Sequence, residues 1–371
     1  MKFIIKKELL LENLNKVSKA LSTKNLVPAL AGIKFDLKDK GLTLTASDND
    51  ITIQSFIPKN DDMKIDEDGS IIIQGRYILD IVRKIPDENI NIEVFDETKI
   101  IISTDNSEYN LNGINKRDYP NITLEENKNP IIINGNEFKK MINQISFATS
   151  NDESRPQLTG VNFKILANEL ECNATDSYRL ARKTIKLKDS TMDEYNIIVP
   201  SRNLVEYSKI INDDDIELHI FNNKILFKTN NMLFQSRLIN GSYPNTSNLL
   251  PKDSILKINI NINDLYNVID RVSILTSDKE KNTVTLETNG NELIMKSSSA
   301  EIGHVEEKMQ INKNKETDIK ISFSAKFMME ALKTFDGEIG TITFVGEINP
   351  IIIQDEKEEN LIQLVLPIRT Y

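Results

Sequence analysis

Two periodicities alternate along this chain. In Phe3–Leu21 (FIIKKELLLENLNKVSKAL) a short apolar run gives way to Leu10, Leu14, Val17 and Leu21, spaced i, i+4, i+7, i+11. That spacing puts four apolar side chains on one helical face, with Lys16 and Lys19 on the other. GLTLTAS (Gly41–Ser47) and NTVTLET (Asn282–Thr288) instead alternate apolar with polar residues, the period of a half-buried antiparallel strand. The stretch Glu217–Ile239 divides into two to three short strands at its Asn-Asn turns.

The strand-then-helix phrase recurs. Phe3–Leu21, Ile131–Ala148 and Leu256–Leu275 each open with a strand and continue as an amphipathic helix. A second such pair follows halfway through each unit, at Gly75–Val82 (GRYILDIV), Ser201–Ser208 (SRNLVEYS) and Ser324–Ala331 (SAKFMMEA). Its basic residue returns at Arg76, Arg202 and Lys326, at intervals of 126 and 124 residues. The first two units close on RDYPN (Arg117–Asn121) and GSYPN (Gly241–Asn245). A period this long suits a whole domain rather than a solenoid repeat. We therefore expect an α+β protein of three repeated domains, 1–125, 126–250 and 251–371. Each would carry an antiparallel sheet covered on one side by two helices. In the last helix Phe327, Ala331 and Leu332 are read as the core face, and Lys326 and Lys333 as the solvent face.

Charge adds a second layer. The 371 residues carry a formal charge of −10, which taken alone argues against a nucleic-acid partner. Yet five of the six predicted helices are net positive, so the acidic excess lies in strands and loops. Three such units in series can curve with basic helices inside and acidic sheets outside. One cysteine, Cys172, excludes an internal disulfide framework and reads as a buried structural thiol. No apolar run reaches the roughly 20 residues of a membrane span, and Glu8 and Glu12 interrupt the only leader-like stretch. A soluble cytoplasmic protein is expected.

Catalytic signatures are missing: the chain has no GxGxxG and no CxxC. His219 reads as a surface or edge histidine of a strand, His304 as a loop residue, and Asp213–Asp215 as a solvated turn. Asp48 and Asp50 in SDND imitate a carboxylate pair but also spell an Asx turn. A metal enzyme built on that pair is one alternative class, and an interaction scaffold that only gathers partners through a C-terminal groove, never encircling DNA, is another.

MKF at the start, ATDSYRLA (Ala174–Ala181), SYPN…LLPK (Ser242–Lys252) and LVLPIRT (Leu364–Thr370) occur in the order and spacing of one family. The chain resembles the bacterial sliding clamps, the β subunits of the replicative DNA polymerase III holoenzyme. ESRPQLTGV (Glu153–Val161) looks like the form in Gram-positive relatives. The resemblance implies a non-catalytic processivity factor without cofactor or metal. Two crescents would join head to tail into a six-domain ring, with helices lining the hole and duplex DNA passing through without sequence preference. For DNA contact, Lys24 and Arg155 match the family. Arg76, Arg83, Lys139, Lys140, Arg202, Lys209, Arg271 and Lys333 are added from the inner-face charge.

The family also implies a pocket for short linear motifs of the polymerase, the clamp loader and repair proteins. Its walls here would be Leu158, Thr175, Ser177, Tyr178, Arg179, Leu180, Pro244 and Leu249. Ser324, Phe327, Ile348, Pro350, Leu366, Pro367, Ile368 and Arg369 would complete it. Asn248 stands where some relatives carry Arg, and Ser177-Tyr178 replaces a Gly-His pair. Ring closure would use Tyr109 and Leu111 against Ile274 and Leu275, with Glu108 where some relatives carry Arg. Pro156 and Gln157 occupy a loop where some relatives have aromatics.

Overall fold

The structure is a computed structural model that describes residues 1–21, 27–212, 214–249, 253–276 and 282–369. Six α-helices lie among the described residues: α1 (Lys7–Val17), α2 (Gly75–Lys84), α3 (Gly135–Ile145), α4 (Ser201–Ser208), α5 (Ile262–Ser273) and α6 (Ala325–Leu332). Packing groups the chain into two compact units, Met1–Gly135 with Lys209–Leu238, and Asn136–Ser208 with Ile239–Tyr371.

In the first unit a five-stranded sheet runs in the order Met63–Glu67, Lys2–Lys6, Asn89–Phe95, Lys99–Ser103, Glu108–Asn112. An eight-stranded sheet runs Ile131–Ile133, Ile216–Ile220, Lys224–Thr229, Met232–Arg237, Ile51–Pro58, Gly41–Ser47, Gly32–Lys38, Gly69–Gln74. The helix α1 seats Leu10, Leu14 and Val17 in the core, as the spacing predicts. Asn13 on the same face accepts a 2.6 Å bond from the Ser55 hydroxyl, so its buried amide is satisfied. Gly75 opens α2 because a Cβ there would meet Leu21 Cδ1 at 2.3 Å.

In the second unit a nine-stranded sheet runs Tyr195–Pro200, Gly160–Leu166, Glu169–Thr175, Arg179–Lys186, Leu361–Val365, Ile351–Asp355, Ile339–Phe344, Leu256–Asn261, Asn312–Lys313. A four-stranded sheet runs Gly303–Gln310, Glu292–Ser299, Thr283–Asn289, Lys320–Ser324. All of these named strand pairings are antiparallel. The helix α5 buries Ile262, Leu265, Val268, Ile269 and Val272, and Asn261 caps it by accepting from the Asp264 amide at 3.0 Å.

Three readings of the sequence need correction, at α6, at His219 and at His304. The core face of α6 is Ala325, Met328, Ala331 and Leu332, and Phe327 is only half-buried. Ser324 caps the helix, its hydroxyl accepting from the Phe327 amide. His219 is not a surface residue. It is 1% exposed on an interior strand, and its Nδ1 accepts the Asn127 amide proton at 2.8 Å while Asn127 donates back to the Ile220 carbonyl. The polar segment after residue 123 is further tied down by Lys224–Glu125 and Lys228–Glu126 ion pairs of 3.0 and 2.6 Å.

Burial pushes the His219 pKa below its ordinary 6.5, against the pull of Glu217 and Glu126 and with Lys228 adding to the drop. The unfolded chain therefore binds this proton more readily than the folded one. Stability of the first unit is expected to fall as pH drops through about 6.5. The slope should flatten in His219→Gln, read by thermal unfolding between pH 7.5 and about 5.5.

Asp48 forms the Asx turn, its Oδ1 accepting the amides of Asp50 and Ile51 at 2.9 and 2.8 Å. Cys172 is fully buried. His304, read as a loop residue, is instead an exposed residue of the edge strand Gly303–Gln310, paired with Ser298. Asp214 and Asp215 are exposed, and Asp213 lies outside the described residues.

Candidate peptide groove and cationic helix faces

The groove begins at a tight turn. Asp176 Oδ1 accepts the amides of Tyr178 and Arg179 at 2.9 and 3.0 Å, and Ser177 between them takes a φ of +78°. Thr175 closes the turn by donating to the Arg179 carbonyl at 2.5 Å. This geometry lifts Tyr178 into solvent, 63% exposed, and folds Arg179 inward, 9% exposed. The Tyr178 ring stacks on Phe327 of α6, with centroids 6.5 Å apart and planes at 27°.

Arg179 is held from every side. Its guanidinium lies 4.5 Å from the Phe327 centroid and 4.9 Å from that of Phe147. It donates to Asp176 at 3.0 Å, to Glu330, and to the Phe147 carbonyl at 2.7 Å. Phe147 and Glu330 also line a cavity of about 590 Å³ together with Lys139, Lys140 and Lys333.

The chain's last described segment completes the groove. Leu366 donates its amide to the Tyr178 carbonyl at 2.9 Å, and Ile368 donates to that of Ser322 at 2.7 Å. Leu366 packs on the buried cluster Leu180, Ile352 and Leu364. Leu158, Thr175, Leu180 and Ser324 are buried beneath the surface. Pro350, Leu366, Pro367 and Ile368 are half-buried, while Pro244, Leu249, Ile348 and Arg369 are exposed. Asp176, Phe147 and Glu330 escaped the sequence reading. Asp176 was findable, because TDSY repeats the Asx pattern of SDND. Glu330 carries no sequence signal, since only the packing of α6 brings it to Arg179.

The basic residues divide. Arg76 and Arg83 are exposed on α2, Arg202 on α4 and Lys209 just beyond it. Arg83 lies 3.9 Å from Asp80. On α3 Lys139 is half-buried and Lys140 exposed, the latter paired with Asp336 at 2.7 Å and Glu358 at 2.8 Å. Arg271 on α5 makes a two-pronged contact with Glu307, of 2.9 and 2.7 Å, which holds that carboxyl below its usual range. Lys333 sits 5.0 Å from the Tyr266 ring centroid. Arg155 is apart from these helices: it is exposed and donates to Ser177 Oγ at 3.4 Å, beside the groove turn. Lys24 lies outside the described residues.

Tyr109 and Leu111 are half-buried on the free edge strand Glu108–Asn112. Ile274, 74% exposed, and half-buried Leu275 follow directly on α5.

Glu126, Glu217 and His219 place one potential ligand atom each within 4.8 Å of the others. Because Nδ1 accepts the Asn127 amide, the neutral imidazole carries its proton on Nε2, the nitrogen 3.3 Å from Glu217. Lys228 already pairs with both carboxylates, at 2.6 and 3.4 Å. The arrangement reads as a charge cluster holding the chain.

Six helices set on antiparallel sheets, in three repeated α+β domains, define a clamp-type replication protein. Residues 1–123, 132–245 and 247–369 match the N-terminal, central and C-terminal domains of the DNA polymerase III beta subunit. The Beta sliding clamp of Bacillus subtilis is 40% identical over the full length of both chains, and that of Staphylococcus aureus 37%. The crystal structure of the Bacillus subtilis clamp superposes with a TM-score of 0.95 at 39% identity, covering both chains completely. A Pseudomonas aeruginosa clamp, bound to griselimycin, shares the fold at a TM-score of 0.94, with both chains fully covered and 21% identity. The chain belongs to the bacterial β sliding clamp family, the beta subunit of DNA polymerase III. No helix of the described residues is long and apolar enough to cross a membrane.

Proposed function

We propose that two copies of this chain close head to tail into a cytoplasmic ring that encircles duplex DNA and confers processivity on the replicative polymerase. Each copy supplies three clamp domains, 1–125, 126–250 and 251–371. The observation that carries this reading is a chain matching the Bacillus subtilis clamp along its whole length, whose exposed helix faces are basic, at Arg76, Arg83, Arg202 and Lys326, within a net charge of −10. Lysines and arginines facing phosphates attract without reading bases, so the ring slides. Enclosure supplies persistence, and tight binding is unnecessary.

The groove around Tyr178, Arg179, Phe327 and Leu366 receives linear peptides of polymerase, loader and repair proteins. Its mixture of half-buried aliphatic residues and exposed aromatic surface suits Leu and Phe side chains of a client. Tyr178 and Asn248 give this chain a client preference of its own.

The test is topological. Clamp loaded on nicked circular DNA should stay bound through gel filtration and fall off when the circle is linearised. Equal loss from both forms would sink the ring.

A further inference from the structure

The chain contains two finished versions of one strand junction and both halves of a third. In the first, Ile51–Pro58 pairs with Met232–Arg237 over the rungs Ile51–Ser236 to Ser55–Met232. Bonds from Arg237 N–H to the Asp50 carbonyl (2.9 Å) and from Phe56 N–H to that of Asn231 (2.8 Å) extend it at both ends. In the second, Arg179–Lys186 pairs with Leu361–Val365 over Arg179–Val365 to Lys183–Leu361. It is extended at the same steps by Leu366 N–H to Tyr178 (2.9 Å) and Thr184 N–H to Asn360 (3.1 Å). The preceding turns also match: Asn49 and Ser177 have φ of 76° and 78°, and Asp48 and Asp176 each accept two amides.

Two strands of the corresponding kind remain open at sheet edges, Glu108–Asn112 and Gly303–Gln310. The finished junctions fix how they would meet. On the receiving side, the amides of Ile114, Ile239 and Ile368 donate to the carbonyls of Ile72, Ile198 and Ser322, at 2.9, 2.9 and 2.7 Å. Three residues earlier stand Leu111, Ser236 and Val365, so Leu111 takes the place of the two junction residues. On the other side, the hairpin rungs Lys38–Gly41, Leu166–Glu169 and Asn289–Glu292 are equivalent. Six residues on come Ser47, Thr175 and Ser298, whose partners are Thr52, Leu180 and His304. The residues before those partners are Ile51, Arg179 and Gly303. Leu111 therefore faces Gly303 of a second copy, and Asn110–His304, Tyr109–Val305 and Glu108–Glu306 follow. The faces agree: half-buried Tyr109 meets half-buried Val305, and exposed Glu108 meets exposed Glu306.

We propose that ring closure sets Glu108 directly opposite Glu306 of a second copy, a repulsive rung that occurs at both junctions of the closed dimer. The proposal rests on the ring reading above and adds its register. Like charges facing each other across antiparallel strands destabilise the pair. Glu306 lies 3.4 Å from Lys296, but that lysine sits closer to Glu287, at 2.8 Å. Glu108 accepts a neutral amide bond from Asn110 at 3.0 Å. The chain's closing edge is thus held by backbone bonds and by Tyr109, Leu111 and Val305, against its own charge.

Sedimentation equilibrium on the full chain decides it. Glu108→Lys and Glu306→Lys should each tighten the dimer about tenfold, because each creates two opposite-charge rungs. The double variant should lose that gain, since lysine then faces lysine. Tyr109→Cys with Val305→Cys should yield a cross-linked dimer on oxidation, because a non-hydrogen-bonded pair brings Cα atoms to about 4.5 Å. Additive gains in the double variant, or a dimer that refuses the cross-link, would overturn the register while leaving the ring intact. A native chain and a Glu108→Lys chain that both stay monomeric, with no retention on circular DNA, would overturn the ring reading itself.

Discussion

Arg179→Ala is expected to weaken client-peptide binding by at least about a hundredfold and to lower the unfolding free energy by about 3 kcal/mol. Both effects have one cause. The guanidinium is the buried hub that fixes Phe327 and Phe147 and balances Asp176 and Glu330. Without it Phe327 loses the ion that stacks on its inner side, and the Tyr178–Phe327 wall of the groove loses its support. The Asp176 and Glu330 carboxylates, both half-buried, are left without their shared partner. Arg179→Lys should fall between native and Ala, because an ammonium keeps the charge but not the planar fork or the stacking. Fluorescence anisotropy of a labelled client peptide and guanidinium denaturation read the two quantities. Native affinity in Arg179→Ala would place client binding elsewhere on the molecule.

Lys183→Ala is expected to destabilise the second unit by about 3 kcal/mol, and Lys183→Met, which restores the aliphatic stem but not the ammonium, should recover only a minor part of that loss. Lys183 is 3% exposed and donates to Glu358 at 2.5 Å and to Gln144. Burial opposes ionisation of Glu358, but Lys140, Lys183 and Gln144 outweigh it and hold the carboxyl below its usual range. Burial pulls the Lys183 pKa down in turn, with Glu358 working against it. The two directions differ because Glu358 has two lysines and Lys183 has one carboxylate and a deeper site. The same cluster reaches Thr334 and Gln363: Gln144 donates to the Thr334 carbonyl at 2.7 Å, and Gln363 donates to that of Gln144 at 2.9 Å. Loss of Lys183 should therefore loosen the 355–361 turn, seen as faster amide exchange there. Unchanged exchange and stability in Lys183→Ala would show that the network carries no load.

Much of this was legible before any coordinates. The strand–helix phrases fall where the apolar spacing put them, because a helix or strand must bury one face and so writes its period into the sequence. SDND reads as an Asx turn, and ATDSYRLA contains the same turn with the groove's tyrosine and arginine attached. What misled the reading was local. Phe327 fits an apolar stripe, yet it turns to Arg179 and Tyr178 because the core beneath α6 is already filled by Met328 and Leu332. His219 alternates like a surface residue, yet Asn127, ninety-two residues earlier, covers it.

The amino-acid order by itself determined the threefold repeat, the two-helix complement of each copy, the acidic balance with basic helices, and the turn that presents Tyr178. Only the tertiary structure decided which edges meet: Ile51–Pro58 with Met232–Arg237, Arg179–Lys186 with Leu361–Val365, while Glu108–Asn112 and Gly303–Gln310 stay at sheet edges. The reason is physical. Side-chain period records which face of a strand is buried, whereas edge pairing is made by backbone N–H and C=O groups that every residue but proline carries alike. Partners about 180 residues apart in sequence therefore leave no mark on the hydrophobic pattern, and emerge only when the chain is folded.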